Sequence, residues 1–88
     1  MSLADKFKAE YGFILQPADD FTVTFSKGDK YILIVQDPTN NHEIVHVDIW
    51  VFQIIPEAEK YSNTLYHKEN VWLGKAKTEV SRLMKKYQ

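Results

Sequence analysis

The 88-residue chain contains no cysteine. That excludes a disulfide framework and thiolate chemistry, and a bridge-free domain this small fits a reducing, cytoplasmic setting. Glycine is scarce and scattered, at Gly12, Gly28 and Gly74, so a glycine-rich phosphate loop has nowhere to form. No segment reaches the roughly 18 consecutive apolar residues of a spanning helix. Residues 1–12 are charged and unlike a signal sequence, so neither membrane insertion nor export is expected. What the chain does have is 44% hydrophobic residues and an aromatic share of 14%. A single domain of this length hides only about 60–65% of the surface its unfolded form exposes. Aromatics, each burying on the order of 150–250 Å², compensate for the thin core.

The run from Glu43 to Ile55, EIVHVDIWVFQII, carries the most information. Val45, Val47, Ile49, Val51 and Ile55 alternate with period two and form an aliphatic stripe broken only by Gln53, which predicts a strand with one core face. The even positions, Ile44, His46, Asp48, Trp50, Phe52 and Ile54, run from polar to strongly apolar. That second face also needs cover. Either the rest of this short chain supplies it, or another molecule does.

Around that strand the chain reads as α+β. Ser2 is a candidate N-cap for a short helix bearing Leu3, Phe7 and Tyr11 on one stripe, which Gly12 ends. Phe13, Ile14 and Leu15 form an apolar connector expected to be buried, and Pro17, Asp19 and Asp20 a turn. Phe21–Ser26 alternates as a half-exposed edge strand. After the turn Lys27–Lys30, the stretch Tyr31–Gln36 is apolar on both faces and therefore central. If paired residues sum to 57, Phe25 lies beside Ile32 and Val23 beside Ile34; a loop one residue different pairs Phe25 with the other face. Asp37–His42 is a loop, and Pro56 stops the third strand. Residues 57–68 admit a short fourth strand, a loop or the first turns of a helix, and their mixed pattern favours a loop with some helical character. From about Glu69 the spacing Leu73, Ala76, Val80, Leu83, Met84, Tyr87 is helical and predicts packing on the sheet. Gly74 sits poorly in a helix interior, so either the helix starts later or a close contact occupies that point. The expected fold is thus a meander of three antiparallel strands, four if residues 61–67 add one, between an N-terminal and a C-terminal helix.

Charge is uneven. Residues 1–60 hold five Lys and ten Asp or Glu, and residues 61–88 hold five Lys, one Arg and two Glu, so an acidic part with net charge −5 precedes a basic part with +4. Such a dipole steers charged partners or orients self-association.

Candidate chemistry is sparse. His46 and Asp48 share a strand face at i, i+2, a spacing that suits a metal, with His42, His67 and Glu69 as the other ligands at hand. Hydrogen bonding of the pair to each other or to water is the preferred reading, and no metal or cofactor is expected. Ser26, Ser62 and Ser81 lack a glycine-flanked elbow, and the Asp19–Asp20 pair reads as turn chemistry, so no enzyme is expected. The order helix, three strands, helix, with Lys75 and Lys77 early in the second helix around Gly74 and Ala76, resembles double-stranded RNA-binding domains. That resemblance implies contacts to nucleic-acid phosphates, to which Lys75, Lys77, Arg82, Lys85 and Lys86 are the candidates. The favoured expectation is a small non-enzymatic regulator, inhibitor or adaptor. It binds another protein, or itself as a homodimer, through Ile44, His46, Asp48, Trp50, Phe52 and Ile54, because aromatic anchors beside a few polar groups make an interaction hot spot.

Overall fold

The computed structural model describes residues 3–36, 46–55 and 60–87. The expectations for Ser2, for residues 37–42, for Ile44, Val45 and Pro56, and for the Ile55 side chain lie outside them. Five strands, β1 (Ile14–Asp19), β2 (Thr22–Lys27), β3 (Lys30–Gln36), β4 (His46–Ile55) and β5 (Lys60–Trp72), form one antiparallel sheet in chain order, and α1 (Leu73–Lys86) follows without a linker. No helix among the described residues is long and apolar enough to cross a membrane.

The β2–β3 register is the one in which paired numbers sum to 57, with Phe25 opposite Ile32 and Val23 opposite Ile34. Gly28, at φ 58°, opens that two-residue turn, as a glycine must at the first central position of a II′ hairpin. The row continues across β4, where Ile32 faces Val51 and Ile34 faces Ile49. These side chains are fully buried, together with Val23, Phe25 and Val47. They form the core face of the sheet. From α1, Ala76, Val80, Leu83 and Met84 join the same cluster, with Leu73 and Tyr87 packed against it, so all six positions of the predicted stripe meet the core.

Four expectations need correction. The N-terminal helix is only one 3-10 turn, Ala4–Lys6, and the chain is extended by Phe7. A short isolated helix is marginal. The extended path instead lets Leu3, Phe7 and Phe13 reach the core at three separate points, Phe7 meeting the Phe25 ring edge-on at 6.2 Å. The supposed connector and turn, from Ile14 to Asp19, are strand β1, in which Phe13 just before it is buried but Ile14 is 60% exposed. Pro17 lies within that outer strand, where a missing amide is tolerated. Consequently β2 is internal, with Phe21 in the turn before it, and its hydroxyl face is not simply solvated: Thr24 is buried and donates to the Gln16 carbonyl oxygen at 3.1 Å.

Finally, the sheet has five strands where three or four were expected, because most of the uncertain stretch is β5 and α1 starts at Leu73, not near Glu69. Three register shifts, opposite Asp48, after Val51 and after Gln53, each put one extra residue in β5. Its 13 residues therefore pair the 10 of β4. Bulges of this kind bend and coil the strand that carries them. Among the described residues a 3-10 turn, five strands and one helix follow in order, not the helix, three strands, helix that resembles double-stranded RNA-binding domains.

Candidate interaction surface

Among the described residues, the two segments outside the sheet that pack on it, the N-terminal turn and α1, lie on one side of it. The helix packs over β4 and β5. The N-terminal turn contacts β1 and sends Leu3, Phe7 and Phe13 into the same cluster as Phe25 and Val51. Neither α1 nor the N-terminal turn packs on the opposite face, made by the even positions of β4, where neighbouring side chains of the sheet alone bury Thr24 and leave the β4 positions partly exposed. That face is built in rows: Ile14, Ser26, Tyr31, Phe52 and Thr64 across the five strands, then Gln16, Thr24, Leu33, Trp50 and His67, then Thr22, Val35 and Asp48.

A central apolar strip runs along β3 and β4, formed by Tyr31, Leu33, Val35, Trp50, Phe52 and Ile54, all partly exposed. Hydroxyl and amide groups of β1 and β2 flank it on one side, and Thr64 and His67 on the other. Such an arrangement, an aromatic and aliphatic centre within a hydrogen-bonding rim, is that of a protein-binding patch. The Trp50 indole does not project freely. It stacks on the His67 imidazole across the strand pair, ring centroids 4.6 Å apart at 11°, and His67 Nε2 lies 3.7 Å from Glu69 Oε1. The stack holds the indole flat and broadens the apolar platform.

His46 and Asp48 occupy the end of the strip. Asp48 Oδ1 accepts from the Asn70 backbone N–H at 2.9 Å, so this carboxylate holds the first β5 bulge. His46 sits opposite Trp72, which is 55% exposed and whose ring closes over Gly74: a Cβ there would come within 2.9 Å of it. That is the close contact that glycine permits. Among the described residues, no three His, Asp or Glu gather as metal ligands. Tyr31, Leu33 and Val35 belong to the face although the sequence reading did not single them out. Their two-faced apolar pattern was the available signal; the β3–β4 register, set by a nine-residue connection, was not readable.

The five basic residues of α1 do not form one cluster. At about 100° per residue, Lys75, Arg82 and Lys86 fall on one flank and Lys77 on the other, roughly 140–180° away. Arg82 Nη2 donates to Glu79 Oε2 at 2.9 Å, and its guanidinium lies over the Tyr66 ring. Lys86 lies over Tyr87, and Lys85 is exposed near the helix end. Lys77 instead lines a shallow cleft of about 170 Å³ between the N-terminal segment and α1, with Lys6, Lys8, Phe7, Val80, Glu10 and Ser81. Comparison with protein-family models, curated proteins and solved structures finds no match to this chain.

Proposed function

We propose that this chain is a small, cytoplasmic, non-enzymatic protein-binding domain, a regulator, inhibitor or adaptor that works through the even face of its sheet. One observation carries the reading: among the described residues, helix and N-terminal segment cover the same face, and the Trp50 and Phe52 strip on the other face is partly exposed. Burying such a strip contributes roughly 25 cal/mol per Å² of apolar surface, and the His67 stack pre-organises its largest side chain. His46 and Asp48 would serve as the polar end of the contact.

The absence of cysteine makes the test clean, because an introduced thiol is the sole labelling point. Leu33→Cys on the open face and Thr78→Cys on the exposed side of α1 each carry a benzophenone maleimide, and photolysis in an extract of the native host follows. Protein adducts at position 33 and not at 78 are expected; equal adducts at both, or none at 33, dispose of the reading.

Nucleic-acid binding is the second reading, and the gathering of Lys6, Lys8 and Lys77 at one cleft favours it. Electrostatic binding weakens steeply with salt, so a mobility shift at low salt that vanishes at moderate salt is its signature. No shift at low salt removes it.

A further inference from the structure

We infer that the occupant of the even face is a second copy of this chain, packed sheet against sheet; the inference rests on the binding-face reading above. Three features favour a copy of itself over a foreign partner.

The first is that both edges are closed to strand addition. β1 is short, carries Pro17 without an amide hydrogen, and has a register shift at Ala18. β5 is coiled by its three bulges and shows Lys68 and Glu69 along its length. Proline, bulges and charges are the devices that block edge-to-edge pairing. Association is therefore directed to the face.

The second is charge. Between Asp48 at one end and the β2–β3 turn at the other, the strip of Tyr31, Leu33, Val35, Trp50 and Phe52 carries no charged side chain. A surface that selects a foreign partner by potential displays a charge for it to meet; a neutral one can be laid on itself without like-charge repulsion. A two-fold axis across the strands at the level of Leu33 and Trp50, between the sheets, lays β3 on β3 and β4 on β4, so that the strip covers itself, each rim meets its own copy and the two Asp48 carboxylates lie at opposite ends. The interface is then isologous, as in most homodimers.

The third is area. Five strands about 4.8 Å apart, with rows spanning about 20 Å along the strands, give a footprint of roughly 500 Å² a side and roughly 1,000 Å² in total, the lower bound for a specific interface. Self-association through it is weak and concentration-dependent.

Sedimentation equilibrium on the full chain from about 5 to 500 µM, a range that brackets weak micromolar dissociation constants, tests this. Wild type and Thr78→Asp are expected to pass from monomer to dimer, and Leu33→Asp to stay monomeric with an unchanged circular dichroism spectrum. Phe52→Asp replaces Leu33→Asp if that variant does not fold. A wild type that remains monomeric throughout, or a dimer that survives both face substitutions, overturns the inference. Failure here is separable from failure of the binding-face reading: a monomeric wild type that still yields foreign adducts at position 33 removes only self-association, whereas no adducts of any kind remove both.

Discussion

Asp48 and Asn70 hold one bulge between them. Asn70 has φ 54°, in the left-handed region that costs most side chains about 1–2 kcal/mol and that asparagine or glycine enters readily. The Asp48 carboxylate then takes up its amide. Asn70→Val is expected to lower unfolding free energy by about 1–2 kcal/mol and Asn70→Gly to change it little, both read from urea titrations. Asp48→Ala loses about 1 kcal/mol, the net value of such a hydrogen bond, while Asp48→Asn keeps an acceptor and most of the stability. The sequence showed His46 and Asp48 sharing a face, but the group that engages Asp48 lies 22 residues away and was invisible without the bulge. Tyr11, at φ 56° beside Gly12 at φ 82°, forms a turn closed by the Phe13 N–H to the Glu10 carbonyl oxygen at 3.1 Å. The positive φ expected at Gly12 is there, as part of a turn rather than a helix end. An aromatic at such an angle is a strained choice.

At the level of elements, α1 was legible because its apolar spacing runs unbroken from Leu73 to Tyr87. β5 was not, and the reason is physical: each bulge shifts the phase of alternation by one, so over residues 60–72 the period-two signal is broken three times. β1 was hidden likewise by Pro17 and the shift at Ala18. Between β5 and α1, Tyr66 donates to Glu79 Oε2 at 2.9 Å, the oxygen that also receives Arg82. The Arg82 hydrogen bond, helped by Tyr66, holds the Glu79 carboxyl below its ordinary range. Burial first, and then the Glu79 carboxylate, hold the Tyr66 phenol above its own. A lowered carboxyl contributes stability above its unfolded pKa and loses it as pH falls through the folded value; a raised phenol contributes below its unfolded pKa and loses it as pH rises through the folded value. Denaturant titrations from pH 7 downward should therefore show a shallower acid loss in Glu79→Gln than in wild type, by about 1 kcal/mol. Tyr66→Phe should flatten the alkaline arm above about pH 10.

For the whole molecule, the two faces of β4 make opposite demands. Val51 is fully buried and Phe52, the next residue, is partly exposed. Val51→Asp places an unpaired carboxylate in the core and is expected to abolish cooperative folding, since an isolated buried charge costs several kcal/mol. Phe52→Asp should retain a melting transition close to that of wild type. Comparable losses in both, measured by thermal unfolding, would mean that the even face is also core. That the two faces differ was readable from the alternation alone. Which of them the remaining chain covers was not, because it depended on an N-terminal segment whose expected helix did not form.

The sheet lists its strands in the order in which they are synthesised, with connections of two, two, nine and four residues. Each new pairing closes only a short loop, so the entropic barrier to assembly is small for a β-rich chain, and contacts of low sequence separation favour rapid formation. Ser81 Oγ donates to Glu10 Oε2 at 3.3 Å across 71 residues, a contact that closes late in such an assembly. Glu10→Ala should accordingly leave the refolding arm of a stopped-flow chevron in place and steepen only the rate of escape from the native state.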